Sequence, residues 1–285
     1  MARTYRVGAS RWRARAAPAT LARMLAPLRR RRLALPGSAL EIALLDWGGD
    51  GPLALLHHAN GFCAAVWGPV AERLRGRFHV VAMDARGHGD SSKPAAPDAY
   101  CWERFARDAI EVAERLAGER GDGRVALAIG HSLGGSALAL AAAERPDLFE
   151  RLALVDPVLI AGRESASAAE RGVGRGLPDP RRLEGIDGTE LAENARKRRE
   201  IWPSRAAARA KWLDKSMFAE WDSRALELYL AEGLADRADG QVELKCTAAV
   251  EAAVFEATGS FDLWSCEGRL RAPTLIERAA RGVFS

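Results

Sequence analysis

Residues 125–144 read VALAIGHSLGGSALALAAAE, an apolar run followed by a glycine-rich turn and then an alanine-rich run. The apolar run at 125–129 is typical of a strand buried on both faces of a parallel sheet. The small residues after it predict a helix from Ser136 that ends before Pro146. The sequence therefore places Gly-His-Ser-Leu-Gly, residues 130–134, on a sharp turn between a buried strand and a helix.

This turn matches the pattern G-x-S-x-G, in which a serine occupies a strained strand-to-helix turn and its neighbours must be small. We predict that Ser132 is a nucleophile on such a turn. The N–H groups and the positive dipole end of the helix would then face an oxyanion that forms during attack on an acyl group. The alternative is a plain strand-to-helix turn without a chemical role.

Strands and helices alternate around this turn. Further buried strands are predicted at 53–56, 78–83 and 152–155, and helices at 67–74 and 100–116. Such alternation predicts an α/β fold in which helices cover both faces of a mostly parallel sheet.

Residues 159–268 show little strand signal, and they predict a loop followed by helices. A strand pattern resumes at 274–276. We therefore predict an α/β core over residues 39–158 and 269–285, with a helical cap over residues 159–268 inserted before the last strand of the core.

Residues 1–38 are predicted to form a basic, disordered tail, although residues 33–47 also read as two short strands around Pro36-Gly37. Ten arginines and no acid lie in residues 1–32, so the rest of the chain has 32 basic against 38 acidic residues, a net charge of −6. Arg23 interrupts the apolar run 21–28, which makes a poor secretory signal. The alternatives are a transit peptide, a nucleic-acid-binding arm, a membrane-surface arm or a start codon placed too far upstream. We expect no nucleic-acid partner.

The composition is that of a globular protein, with 285 residues of which 48% are hydrophobic and 28% charged. It excludes a disordered chain, a collagen-like chain and a small disulfide scaffold. Four cysteines lie far apart without a C-x-x-C pair, which favours reduced thiols in the cytoplasm.

Two stretches of 19 residues, 53–71 and 125–143, lack Asp, Glu, Lys and Arg. Both contain turn-forming residues that would break a membrane-spanning helix, so we expect no transmembrane segment. The sequence has no phosphate-cradling glycine loop and no metal-ligand spacing. We therefore expect no cofactor and no metal.

Two loops and one strand end add candidate residues. Residues 57–62, HHANGF, follow the first buried strand, and Phe62 is our choice for an oxyanion N–H donor beside that of Leu133. The alternative for this loop is a glycine turn with ordinary histidines. Residues 84–91 contain a carboxylate and a guanidinium that would fix a tight loop beneath the site. Asp156 ends the strand 152–155 and could orient a histidine, or only cap a turn.

Together these motifs resemble the α/β-hydrolase family, in its capped, esterase-like branch. The resemblance rests on four segments: residues 60–62, 84–91, 130–134 and 272–276, the last of which looks like the family's seventh strand. It implies that Ser132 is the nucleophile and that Phe62 and Leu133 supply the oxyanion hole, without a cofactor. A serine at this position argues against the epoxide hydrolase and dehalogenase branches, which use aspartate there.

The resemblance also implies a substrate pocket with a lining from the oxyanion loop, the serine turn and the cap. The residues predicted to line it are His58, Asn60, His131, Trp202 and Trp221. Three more aromatic residues of the cap would join this lining: Trp212, Phe218 and Trp264. Ordinary packing of amphipathic helices is the alternative for each aromatic residue of the cap.

Members of the family place a histidine after the eighth strand. The five histidines of this chain stand at 57, 58, 79, 88 and 131, and none follows Ser132. The 137 residues of the predicted core also fall short of the roughly 185 that eight strands, six helices and their loops need. We therefore expect that the eighth strand and the last helix are missing.

Three hypotheses about function follow. The first is a hydrolase that acts on a carboxylic ester or related acyl compound through an acyl-enzyme on Ser132, impaired by the absence of the C-terminal histidine. The second is a noncatalytic ligand-binding remnant of such an enzyme. The third is an enzyme that uses a relocated histidine such as His58. In the first case the partner is a small acyl compound.

Overall fold

The computed structural model of the chain describes residues 28–95, 97–158, 188–260, 266 and 268–279. In chain order the strands of this part are β1 (Arg29–Leu35), β2 (Leu40–Gly48), β3 (Leu53–His57), β4 (His79–Met83), β5 (Leu127–His131), β6 (Leu152–Val155), β7 (Ile201–Trp202), β8 (Leu234–Asp236), β9 (Val242–Leu244) and β10 (Thr274–Glu277). The helices are α1 (Gly68–Leu74), α2 (Trp102–Arg120), α3 (Leu133–Glu144), α4 (Gly188–Arg196), α5 (Arg205–Leu213), α6 (Ser216–Ala219), α7 (Ser223–Glu232) and α8 (Ala248–Glu256). Short 3-10 turns lie at Ala64–Trp67, Pro97–Tyr100 and Ala257–Ser260.

Seven strands form the central sheet, in the order β1-β2-β4-β3-β5-β6-β10. The five strands from β4 to β10 in this order run parallel to one another. Strand β2 runs antiparallel to β4, and β1 runs antiparallel to β2. The prediction of an α/β fold with a mostly parallel sheet is confirmed.

Both faces of the sheet are covered, which explains why its central strands are apolar at every position. Leu53 and Leu55 of β3 belong to the hydrophobic cluster that contains α2 and α3. Ala54 and Leu56 belong to the cluster on the opposite face, with α1 and the segment inserted between β6 and β10. Because successive side chains of a strand point to opposite faces, the apolar residues of β3 contribute to the hydrophobic clusters on both faces of the sheet.

The predicted tail boundary is wrong for residues 29–38. Strand β1 pairs with β2 along its whole length, and its residues Leu33 and Leu35 are buried. Arg31 and Arg32 form ion pairs with Glu119 and Glu41. The two short strands predicted at residues 33–47 are present as β1 and β2, but β1 begins earlier, at Arg29, within a run of four arginines. Residues 1–27 lie outside the described part.

The prediction that the inserted segment is helical needs a second correction. Strands β7, β9 and β8 form a three-stranded antiparallel sheet among its helices. Each of these strands has only two or three residues, too few to produce a period-2 pattern. The first part of this segment, residues 159–187, lies outside the described residues.

Strand β10 pairs in parallel with β6 and lies at the edge of the described sheet. Its side chains Leu275 and Ile276 are exposed, at 55% and 37% of their surface. In the part of the chain that the structure describes, no helix has the length and apolarity needed to cross a membrane.

Candidate active site

Ser132 lies at the junction of β5 and α3 with a φ of 51° and a ψ of −117°. Such a backbone conformation costs a non-glycine residue about 1–3 kcal/mol, so the surroundings must hold it in place. The Ser132 N–H donates a hydrogen bond of 2.9 Å to the Val155 carbonyl of β6. The side chain is half-buried at the carboxyl edge of the parallel strands, where ligands bind in such sheets.

The glycines on both sides of Ser132 are required by close packing of backbone atoms. A Cβ at Gly130 would lie 2.4 Å from the Gly134 carbonyl oxygen, and a Cβ at Gly134 would lie 2.4 Å from the His57 carbonyl oxygen. Neither contact can be relieved by a side-chain rotation. The pattern G-x-S-x-G therefore has a steric origin in this structure.

The variant Gly130→Ala is expected to lower the free energy of unfolding by roughly 1–3 kcal/mol, because its methyl group meets backbone atoms of α3. Gly118→Ala is the matched control, since Gly118 faces open space on helix α2. The control is expected to stabilise the helix by about 0.5–1 kcal/mol. Urea denaturation of both variants measures the difference, and equal effects would contradict the steric explanation.

Helix α3 begins at Leu133, directly after the serine. The N–H groups of the first turn of a helix have no acceptor within the helix, and the dipole makes this end positive. The Leu133 amide is one of these N–H groups, and its role as an oxyanion donor stays a prediction.

The loop after β3 is the place predicted for the second donor. Strand register pairs His57 with Gly130, so this loop starts beside the serine turn. Gly61 has a φ of 78°, and the Phe62 N–H closes the turn with a 3.2 Å hydrogen bond to the Ala59 carbonyl. In this structure the Phe62 amide is thus part of the turn.

The histidines of this loop and of the next are buried in the protein. His58 accepts a hydrogen bond from the Ala85 N–H at its Nε2, and its Nδ1 contacts the Ala59 carbonyl. The His58 side chain is fully buried and burial lowers its pKa well below the usual value. The predictions that His58 lines the pocket or acts as a relocated base are therefore wrong, because both ring nitrogens hold loops together.

The loop of residues 84–91 is built as the sequence predicts, around a carboxylate and a guanidinium. Asp84 accepts hydrogen bonds from the backbone N–H groups of Ala64 and Asp90. Arg86 makes a two-point ion pair with Asp108 of α2, at 2.7 and 2.6 Å. The two charged groups fix the loop separately, and neither is free to take part in chemistry.

His131 at the end of β5 lies near Asp156, which directly follows β6. Burial lowers the pKa of His131, and the Asp156 carboxylate opposes this shift. Asp156 has a φ of 46°, and its N–H donates to the Glu277 carbonyl of β10. Both side chains are half-buried. Roles for His131 in the pocket and for Asp156 in orienting a histidine stay predictions.

The sequence did not reveal a network that joins the inserted segment to the loop after β3. The Tyr229 hydroxyl of α7 donates to the Gly61 carbonyl at 2.8 Å and accepts from Arg198 at 2.5 Å. Arg198 also forms an ion pair with Glu251 of α8. Asn60 donates from its amide to the Glu251 carbonyl, which ties the predicted pocket residue Asn60 to the same network. No local signal relates residues that are 137 to 191 positions apart.

The aromatic residues of the inserted segment divide into two groups. Trp202, Trp212 and Phe218 are buried in the hydrophobic cluster, where Trp202 and Trp212 pack edge to face. Only 5% of the Trp202 surface is exposed, and its role as a pocket residue stays a prediction. Trp221 is half-buried and packs 4.9 Å from the Phe62 ring, so it stays a candidate. Trp264 lies outside the described residues.

Among the described residues, no three His, Cys, Asp or Glu side chains are grouped as a metal ion requires. The four cysteines, all within this part of the chain, form no disulfide.

The order of elements, the serine on its strained turn and the loop beside it can be compared with known proteins. The model of the alpha/beta hydrolase family matches residues 54–277. The chain belongs to this family. The match includes β3 to β10, and with them the whole site described above.

Individual relatives in the family differ in their reactions. The chain is 37% identical over 128 residues to 2-(acetamidomethylene)succinate hydrolase of Mesorhizobium japonicum, which is 45% of this chain and 44% of the relative. It is also 37% identical over 112 residues to a fluoroacetate dehalogenase of Burkholderia sp., which is 38% of this chain and 35% of the relative. These matches span less than half of the curated relatives.

The solved structure of E-2-(acetamidomethylene)succinate hydrolase is similar over a longer stretch. It superimposes with a TM-score of 0.66 at 25% identity, and the match covers 87% of this chain and 80% of that structure. The match covers 87% of this chain, which is more than the 137 residues of the predicted core, so the similarity extends into the inserted segment.

Proposed function

We propose that this member of the alpha/beta hydrolase family hydrolyses a carboxylic ester or a related small acyl compound through an acyl-enzyme on Ser132. The observation that carries the proposal is the strained backbone of Ser132 at the start of α3. Strain of this kind persists where a side chain must be presented in one orientation, and a strand-to-helix turn presents a serine to the edge of the sheet.

The proposed chemistry follows from this placement. The Ser132 Oγ attacks the acyl carbon, and the negative charge on the former carbonyl oxygen is stabilised by the N–H groups of Leu133 and Phe62. The bond to the leaving group then breaks, which leaves the acyl group on Ser132 until water releases it as an acid. The Phe62 N–H bonds the Ala59 carbonyl at 3.2 Å, so in the proposed reaction this donor is shared between that carbonyl and the bound oxyanion.

A base must also take the proton of the Ser132 hydroxyl. His58 and His88 have both ring nitrogens bonded, and His79 pairs with Asp46. Fully buried His57 lies against Gly134, which leaves only half-buried His131 next to the serine. With these histidines alone we expect slow turnover that depends on the oxyanion donors and on substrate binding.

The burial and hydrogen bonding of these histidines favour a second candidate function. A member of the family without an accessible base could bind an acyl compound at this edge of the sheet and leave it intact. In both cases the ligand is a small molecule. We propose a cytoplasmic location on the basis of four free cysteines.

The intact mass of the protein after treatment with a fluorophosphonate probe distinguishes the two functions. We expect one adduct that forms slowly, because Ser132 displaces fluoride from the probe and retains the phosphonyl group. Ser132→Ala is expected to take no adduct. Ser216→Ala is the matched control at an exposed serine, and it is expected to react as the native protein does. A native protein without adduct would overturn the enzyme and leave the binding function.

A further inference from the structure

The inserted segment holds the Gly61 carbonyl in the loop after β3. Gly61 and Phe62 share one peptide unit, in which the carbonyl of Gly61 and the N–H of Phe62 point in opposite directions. The direction in which the carbonyl is held therefore sets the direction in which the Phe62 N–H points. The residues that bind this carbonyl come from α7 and from the turn after α4.

Both atoms of Gly61 that can form hydrogen bonds are used. Its N–H donates to His88 Nε2 at 3.0 Å, which requires a neutral His88 with its proton on Nδ1. Its carbonyl accepts from the Tyr229 hydroxyl at 2.8 Å and from Arg198 at 3.4 Å. The N–H of Gly61 is thus bound by the loop after β4, and its carbonyl is bound by residues of the inserted segment.

The groups on the inserted segment are themselves held in place. Arg198 is 17% exposed and Glu251 is 15% exposed, and their ion pair satisfies both charges in this largely buried position. Arg198 also donates to the Tyr229 hydroxyl, so the hydroxyl proton is directed to Gly61. A Cβ at Gly61 would lie 2.8 Å from the Glu251 carboxylate, so the close approach depends on glycine.

We infer that Tyr229 and Arg198 are positioning residues that orient and polarise the Gly61–Phe62 peptide, so that the Phe62 N–H can stabilise the oxyanion. This inference rests on the proposed function of Ser132. Hydrogen bonds to a carbonyl draw electron density toward its oxygen and strengthen the N–H donor of the same peptide. The charge of Arg198 acts on the peptide through the Tyr229 hydroxyl as well as directly.

Tyr229→Phe removes the hydroxyl and keeps the ring that packs on Phe62 and Trp212. We expect the maximal rate of Ser132 phosphonylation by the fluorophosphonate probe to fall about tenfold, with an unchanged half-saturating probe concentration. The rate of amide hydrogen exchange in a peptide over residues 59–66 should rise at least as much. Exchange reports on the loop whether or not Ser132 reacts.

Tyr100→Phe is the matched control. The Tyr100 hydroxyl is also a buried donor to a backbone carbonyl, that of Pro94, and lies outside the site. This variant should leave the phosphonylation rate and the exchange over residues 59–66 unchanged. Unchanged exchange in Tyr229→Phe, or an equal effect of both variants, would overturn the inference. A native protein that takes no adduct would instead overturn the proposed function, and exchange alone would then decide whether Tyr229 holds the loop.

Discussion

Replacing Arg86 by methionine is expected to lower the free energy of unfolding by about 3–5 kcal/mol, as loss of one partner of a buried ion pair does. Arg86 and Asp108 are 3% and 1% exposed, and two hydrogen bonds join them. Arg86 also donates to the Ala99 carbonyl at 3.0 Å. Methionine fills much of the same space but leaves the Asp108 carboxylate without its cation. Urea denaturation at neutral pH measures the loss.

Two further variants separate the buried charge from the loss of packing. Arg104→Met removes an exposed ion pair with Asp98, and we expect a change of at most about 1 kcal/mol. The double variant Arg86→Met with Asp108→Leu should recover much of the lost stability, because it leaves no unpaired charge. If the double variant were less stable than Arg86→Met alone, the buried carboxylate would not be the cause.

Acidification is expected to destabilise the protein steeply between pH 6.5 and pH 4. Burial lowers the pKa of His57 and of His88 to about 4, and it lowers the pKa of His58 well below the usual value. In the unfolded chain each has a pKa of about 6.5. Between pH 6.5 and pH 4 these histidines are therefore protonated in the unfolded state but not in the folded state. The free energy of unfolding falls as the pH falls.

The buried carboxyl of Asp84 acts in the opposite direction. Burial raises its pKa to about 6, so the folded state holds a proton between pH 6 and pH 4 that the unfolded state has lost. Three histidines against one carboxyl leave an excess of about two protons on the unfolded state near pH 5. At about 1.4 kcal/mol per proton and pH unit, stability should fall by roughly 2–3 kcal/mol per pH unit.

Urea denaturation at pH 7, 6 and 5 measures this slope. His57→Leu is the informative variant, because the Nε2 of His57 has no hydrogen-bond partner among the described residues and the leucine removes one titrating group. Its slope should be smaller by about 1.4 kcal/mol per pH unit. A native slope near zero, or a variant with the native slope, would show that these histidines are not buried in their neutral form.

The sheet and the serine turn could be predicted because their causes are local. Runs such as Leu53–His57 are apolar on both faces, and this pattern is visible in any window that contains them. Gly130 reports a backbone contact with Gly134 inside the motif, so a short pattern carries this information, whereas the contact of Gly134 is with His57 of the distant strand β3. The order of these elements along the chain then limits the topology to a few arrangements.

Other features depend on partners far away in the chain. The Arg29–Leu35 strand pairs with β2 along its whole length, and its first four residues are arginines, which hide where it starts. The three short strands of the inserted segment exist only as a sheet, since each has too few residues to show a period. Pairing across long distances supplies the hydrogen bonds that local propensity cannot.

Steric limits and hydrophobic periodicity act over neighbouring residues, so the strand-to-helix turn of Ser132 and the family fold around it follow from the sequence. The tertiary structure sets which polar groups meet. It buried His58 between two loops, although the sequence allowed an accessible base. It also brought Tyr229 to the Gly61 carbonyl across 168 positions. Burial and long-range contact set the protonation and the direction of each group, and neither is a property of a residue type or a spacing.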